Sequence, residues 1–503
     1  MEAVLSAIMS DLLSRATSMV IQRYRRSREK EAEHGIQRLQ RVLLRVDATV
    51  EAAEGRHITN QAMLRQLEML RQGMYGGHYM LDTVKFRGHG GDDEVSGGLP
   101  VALPRFSSAR RLPSFTGHSS DESRQKNPEN LKKLEKMLER LETLMGDMLE
   151  FAVFLEGYPR IPRQPYCTYL VLGNAMFGRQ MEMETVINFL LRPEAPAGNG
   201  AGPGVLPIVG VARIGKSTLV EHVCLDERVR SHFSSIVVFT GEDLDAGDLA
   251  AFRGSAAIKH QDATAASRGR SLAVIELAGD VDEEAWRRLY QSAASSMGHG
   301  SKIVITSRSE KVAALGTTKA LRLKALPPEA YWYFFKALAF GSANPDDHPK
   351  LASLAMEIAE LLDGAFMAGN VVTSLMRANQ STEFWLRVLQ CSRDYTRKHQ
   401  AMFGSHPNKL LQQGQSVYPW RIAGTHDVVT KFSKIYQKPS AQDDVPEVTV
   451  QDILSGRSTR KGNFSAVAWV STVPPYYTFL ASCVSQTVRC STANKKRPRH
   501  ARA

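Results

Sequence analysis

The stretch GVARIGKSTLV, residues 210–220, constrains this chain more than any other. It sets Gly210, Gly215, Lys216 and Ser217 at the spacing GxxxxGKS, after the apolar run VLPIVGV (205–211) and ahead of a helix-compatible segment. A loop of this kind between a strand and a helix turns its backbone N–H groups inward. With the positive end of the following helix, they wrap phosphate oxygens. In such a loop Lys216 reaches the β- and γ-phosphates as a point charge, and Ser217 offers its hydroxyl to Mg2+. Thr218 then holds the α-phosphate side. The strand ahead of the loop disfavours a chance match.

The loop lies in a region of matching character. Between about 166 and 380, the runs VLPIVGV, SSIVVFT (234–240), SLAVIEL (271–277) and SKIVITS (301–307) alternate with helical stretches. Strands separated by helices imply a parallel sheet with helices on both faces. This predicts a phosphate-loop NTPase domain over 166–320 and a helical subdomain over 321–380.

Residues 1–87 read differently. Ile36, Leu39, Leu43, Val46, Val50 and Ala53 recur three and four apart, as do Met63, Leu67, Leu70 and Met74. Each set forms an apolar stripe that one helix cannot bury alone, so a helical bundle is expected. Core packing accounts for these stripes completely. A Gly-, Ser- and charge-rich linker follows over 88–128. A further amphipathic helix over 129–158 carries Leu131, Leu134, Leu138, Leu141, Met145, Met148, Ala152 and Leu155. It either completes the bundle or stands as a separate arm. The fold expected is therefore multidomain, α followed by α/β, with no internal LxxLxL repeat.

Composition adds exclusions. The 503 residues carry a net charge of +12. Nine basic and no acidic residues follow Asp452, which leaves +3 for the rest. The basic balance is thus a tail property, and nucleic acid is not an expected partner. Lys495, Lys496, Arg497 and Arg499 form either a solvated end or a nuclear import signal on an otherwise cytoplasmic protein. Five scattered cysteines, in odd number and without metal-ligand spacing, suit a reducing compartment. No apolar run is long enough to span a membrane. The uncharged stretch 463–488, with Pro474-Pro475, favours short strands and a turn. Residues 381–503 give no clear fold, although 448–454 suggests order. No Cys/His or Ser/His/Asp arrangement can be argued from spacing.

Together these segments resemble the plant NB-ARC disease-resistance family of the coiled-coil type, from the N-terminal helices to about residue 380. MFGRQMEMETVINFLL (176–191) is similar to the segment that packs beside the adenine, which implies nucleotide contact at Gly178 and Arg179. GSKIVITSRSEKVA (300–313) resembles the sensor strand, whose arginine faces the phosphates; here that is Arg308. The resemblance implies an ADP/ATP switch in plant defence that meets other proteins, itself included, through the N-terminal helices. The chain reads as a truncated form without leucine-rich repeats.

The departures from the family matter as much. Ala212 and Arg213 stand where the family usually carries glycine, and strain is expected at Ala212 if its backbone needs positive φ. Arg213 either swings outward or adds charge beside the phosphates. The family's acidic strand ends in two aspartates; here it ends in Glu276 and Leu277. Glu276 remains able to meet Mg2+, but Leu277 cannot polarise water, and Asp280 and Asp282 are poor candidates to replace it. The family's GLPL segment appears as Gly364-Ala365-Phe366-Met367, without its proline. His426-Asp427 lies too close to Gly364 to be the family's ADP-contacting pair. The expected outcome is at most a weak ATPase. The alternative is an adaptor or decoy that works through its helices and ignores nucleotide.

Overall fold

The computed structural model describes residues 30–86, 128–160, 176–193, 202–240, 257–261, 269–277, 280, 282–421, 428–438, 446–458, 460–472 and 476–487. The linker up to residue 127, His426-Asp427 and the basic tail from 488 lie outside them. Two compact units divide the chain, the first holding residues 30–86 and 128–160, the second everything described from residue 176 onward.

The first unit consists of α1 (30–54), α2 (Gln61–Phe86), α3 (Pro128–Gly146) and α4 (Met148–Glu156). The periodic stripes form its core: Leu39, Leu43, Val46, Leu67, Leu70, Leu138 and Leu141 are buried. Close packing is set by Gly77 on α2, where a Cβ would stand 2.5 Å from Leu43 and 3.1 Å from Leu141. A larger residue there requires the Leu43 and Leu141 side chains to shift. The helix expected over 129–158 thus completes the bundle, but it is interrupted at Asp147. That break shifts the buried stripe: Met148, Phe151 and Leu155 face inward, and Ala152 is exposed. After α4 the chain returns to the α1–α2 turn, where the His57 N–H donates to the Pro159 carbonyl at 2.9 Å.

The second unit opens with α5 (Gln180–Leu191). Next come β1 (Gly204–Val209), α6 (Lys216–Leu225), α7 (Glu227–His232), β2 (Ser235–Thr240) and β3 (Ala257–Gln261). Then follow β4 (Ser271–Leu277), α8 (Glu283–Ser296), β5 (Lys302–Ser307) and β6 (Leu321–Arg322). The strand order is β3-β2-β4-β5-β1-β6. All pair in parallel except β3, an antiparallel edge strand that sequence reading missed along with the two-residue β6. Alternation along each strand splits the core in two. Leu206, Ile208, Leu272 and Val274 pack under α5 and α6, while Val205, Val209, Ala273, Ile275 and Leu277 pack under α8.

A helical layer follows: α9 (Pro328–Phe340), α10 (Pro349–Leu361), α11 (Phe366–Ala378), α12 (Thr382–Phe403) and α13 (Pro407–Gln412). Trp332, Phe335 and Trp385 are fully buried within it. Next come β7 (Val428–Lys438), the short α14 (Val450–Leu454), β8 (Gly462–Val470) and β9 (Thr478–Thr487). The uncharged stretch is thus a β8–β9 hairpin, in an antiparallel sheet ordered β7-β9-β8. The core of this sheet takes Val371 and Leu375 from α11 and Leu410 from α13. Among the described residues no helix is long and apolar enough to cross a membrane.

Candidate phosphate-binding site

The loop 210–215 leaves the carboxyl end of β1, between β5 and β6, and feeds directly into α6. In a parallel sheet this end of the strands is where ligands are held. Gly210 is wedged in place: its N–H donates to the Ser307 carbonyl at 3.2 Å. A Cβ on Gly210 would stand 2.8 Å from the Leu323 carbonyl oxygen, so only glycine fits. Gly215 turns the chain at φ 98 and caps α6 without any side-chain hydrogen bond. The first N–H groups of α6 are therefore left for another acceptor.

Strain falls on Arg213, not on Ala212. Arg213 has φ 62, whereas Ala212 is buried at negative φ in the loop. The left-handed conformation costs an ordinary residue about 1–2 kcal/mol. Its side chain leaves the loop, while its charge stays close enough to Arg308 to be repelled by it. One guanidinium nitrogen, Nη2, donates to the carbonyl of Leu411 at the end of α13.

Lys216 folds back over its own loop, and its Nζ donates to the carbonyls of Gly210 (2.7 Å) and Val211 (3.0 Å). Arg308 follows the last residue of β5 and is exposed. Burial first, then the charge of Arg308, pushes Lys216 down to about 8, with Glu276 opposing. The same two causes push Arg213 down to about 10. Cations thus repel one another around the loop, and an anion there relieves the repulsion.

Glu276 lies opposite Thr306 on β5 and Thr240 on β2, at the carboxyl end of β4. It shares a strand face with Leu272 and Val274, the face that packs under α6. Leu277 points the other way and is buried against the α8 side. Asp280 is engaged by Lys311 at 2.6 Å, and Asp282 caps α8 by accepting the Ala285 N–H at 3.2 Å. Among the described residues no cluster of three metal-binding side chains forms. Ser217 and Glu276 carry oxygens of the type that Mg2+ takes.

Ahead of α5, Gly178 adopts φ 66, and a Cβ there would stand 3.0 Å from Leu326. Arg179 is 4% exposed and already engaged, donating to Glu182 at 2.9 Å and to the Lys324 carbonyl at 2.6 Å. It ties the start of α5 to the chain beyond β6. Phe177 packs on Phe334 of α9 at 5.5 Å, and Phe334 meets Phe366 edge-on at 5.2 Å. Phe366 is the first residue of α11, where a proline is favoured, and its ring supplies an aromatic contact at that corner.

The loop therefore brings Gly210, Arg213, Gly215, Lys216, Ser217 and Thr218 together with Arg308 and Glu276. Gly178 and Arg179 lie to the side, where Met176 Cε stands 3.0 Å from the Cβ position of Gly215. Two neighbours had no sequence signal. Leu411 meets Arg213 across 198 positions of chain. Tyr477, just before β9, has its hydroxyl pushed up by burial and by the charges of Glu276 and Glu221.

Residues 8–116 match the Rx N-terminal domain. Over 412 residues the chain is 26% identical to the putative disease resistance RPP13-like protein 1 of Arabidopsis thaliana, covering 77% of this chain and 37% of that protein. It is 25% identical over 228 residues to the disease resistance protein RGA2 of Solanum bulbocastanum, covering 42% of this chain and 23% of the relative. The chain thus spans well under half the length of either. With an Rx N-terminal domain match ahead of a parallel α/β sheet, the chain is similar to plant disease-resistance proteins of the coiled-coil type.

Proposed function

We propose that this chain is a defence-signalling protein that binds ADP or ATP at its 210–218 loop and hydrolyses ATP weakly or not at all. The observation that carries the reading is Lys216. Its ammonium folds onto the Gly210 and Val211 carbonyls, beside Arg308 and below the open N-terminus of α6. Lysine, arginine and free N–H groups converging on one loop form a polyphosphate cradle. Mg2+ enters through Ser217 and Glu276, on the nucleotide's own oxygens. Weak hydrolysis follows from Leu277, whose side chain is buried in the sheet core where the family carries a carboxylate.

Denaturing the freshly purified chain and separating what it releases tests the first half. ADP near one equivalent supports the reading, and its absence from both the wild type and added-ADP samples removes it. Phosphate release after ATP addition tests the second half, with turnover expected near background.

A second reading, partner binding through the helices without nucleotide, has its own support in α4. Leu149, Val153 and Phe154 are 78%, 71% and 62% exposed within the first unit, an apolar face suited to another protein or a second copy. Equal partner capture by wild type and Lys216→Ala, with capture lost in Phe154→Ser, favours that reading.

A further inference from the structure

Arg213 sits where two observations meet. It is a non-glycine residue at φ 62 within the phosphate loop, and its side chain leaves that loop to reach α13. The acceptor, the Leu411 carbonyl, belongs to the last turn of α13 and already takes the Gly414 N–H at 3.2 Å. Its second lone pair takes the Arg213 guanidinium, and a cation is well placed at the negative end of a helix. The other guanidinium nitrogen, Nη1, is buried and has no hydrogen-bond partner among the described residues. The loop and α13 are thus joined by one charged side chain.

The geometry points to Arg213 as a positioning residue that tethers the phosphate loop to α13, so that a polyphosphate at the loop and the docking of α13 strengthen each other. This inference rests on the phosphate-binding reading above. The sign follows from charge. Arg308 stands beside Gly210, because the Gly210 N–H bonds the residue immediately before it, and its charge works against Arg213. Phosphate oxygens near Lys216 and Arg308 offset that repulsion and leave Arg213 better held on Leu411. Coupling of this kind is reciprocal: what strengthens the tether is bound more tightly because of it. Leu410, next to the acceptor, lies in the core of the C-terminal sheet, so the tether reaches that sheet through α13.

Hydrogen exchange on the full chain, with inorganic pyrophosphate as probe, tests this. Arg213→Gly removes the tether yet suits φ 62, so the chain should fold with an unchanged melting temperature. Without ligand, exchange of the 407–415 amides should rise about fivefold or more in Arg213→Gly, and Arg213→Lys should restore part of the protection. Pyrophosphate should slow exchange there in the wild type but not in Arg213→Gly, and should bind the glycine variant about fivefold more weakly. Exchange or affinity equal in both overturns the tether. If the wild type ignores pyrophosphate, the phosphate-binding reading fails, and the ligand-free exchange difference alone then decides the tether.

Discussion

Burial and Arg308 push Lys216 down to about 8, so its Nζ loses charge just above neutral pH. A bound phosphate favours the ammonium and raises its pKa, so proton uptake accompanies binding. Pyrophosphate or ADP affinity should therefore fall between pH 7 and pH 9, by up to about tenfold per unit above 8. Titration calorimetry at three pH values checks this. Lys216→Ala should bind about tenfold weaker or worse at pH 7 and lose the slope. Leu277 makes the opposite point about a neighbouring motif. It is 6% exposed within an apolar cluster, so Leu277→Asp buries a carboxylate with no partner there. We expect a loss of about 3 kcal/mol in denaturant unfolding and no gain in phosphate release.

Among the elements, the α12–α13 corner depends on one neutral histidine. His399 on α12 is 1% exposed. Its Nδ1–H donates to the Tyr395 carbonyl at 2.8 Å, and its Nε2 accepts the Tyr418 N–H at 3.0 Å. Tyr395, Phe403 and Tyr418 pack on the ring. Only the neutral ring satisfies both bonds. Burial pushes His399 below its usual value, the Tyr395 carbonyl opposes this, and His406 adds to it. The sign follows directly: the unfolded chain takes up the proton more readily, so stability is full above about pH 6.5 and declines as pH falls through that value. Melting curves from pH 7.5 to 5 should show the decline, and His399→Gln should flatten it. At the α9–α11 corner, Tyr331 is 2% exposed and its hydroxyl donates to the Ala365 carbonyl at 3.0 Å. That carbonyl also accepts the Gly369 N–H at 2.8 Å, so Tyr331→Phe removes one of its two bonds and should cost about 1 kcal/mol.

At the scale of the whole molecule, the two units carry separate cores, one of helix stripes and one built on the α/β sheet. Separate cores predict two calorimetric transitions. Nucleotide binding only the folded sheet unit should raise that transition, by about 2.7 kcal/mol at a hundredfold excess over Kd, and leave the other in place. Lys216→Ala should abolish the shift. A single transition moved by nucleotide contradicts this division. The Rx N-terminal domain match falls on the chain segment that begins the first unit, while the proposed nucleotide loop lies in the second.

Local pattern determined the elements. Strand runs at 205, 234, 271 and 301 stand within a residue or two of β1, β2, β4 and β5, because buried parallel strands are continuous apolar runs. The helix stripes did the same for α1 to α3, and the spacing of Gly210, Gly215 and Lys216 located the loop. β3 escaped notice because AIKHQ has no apolar run, and β6 because two residues carry no period. Ala212 and Arg213 could be seen as departures, yet which one bears the left-handed turn is a property of the folded backbone. The direction of Leu277, the engagement of Arg179 and the reach of Arg213 to Leu411 were decided only by tertiary structure. Each depends on a partner far along the chain, and sequence periodicity reports a residue's own face but not what lies opposite it.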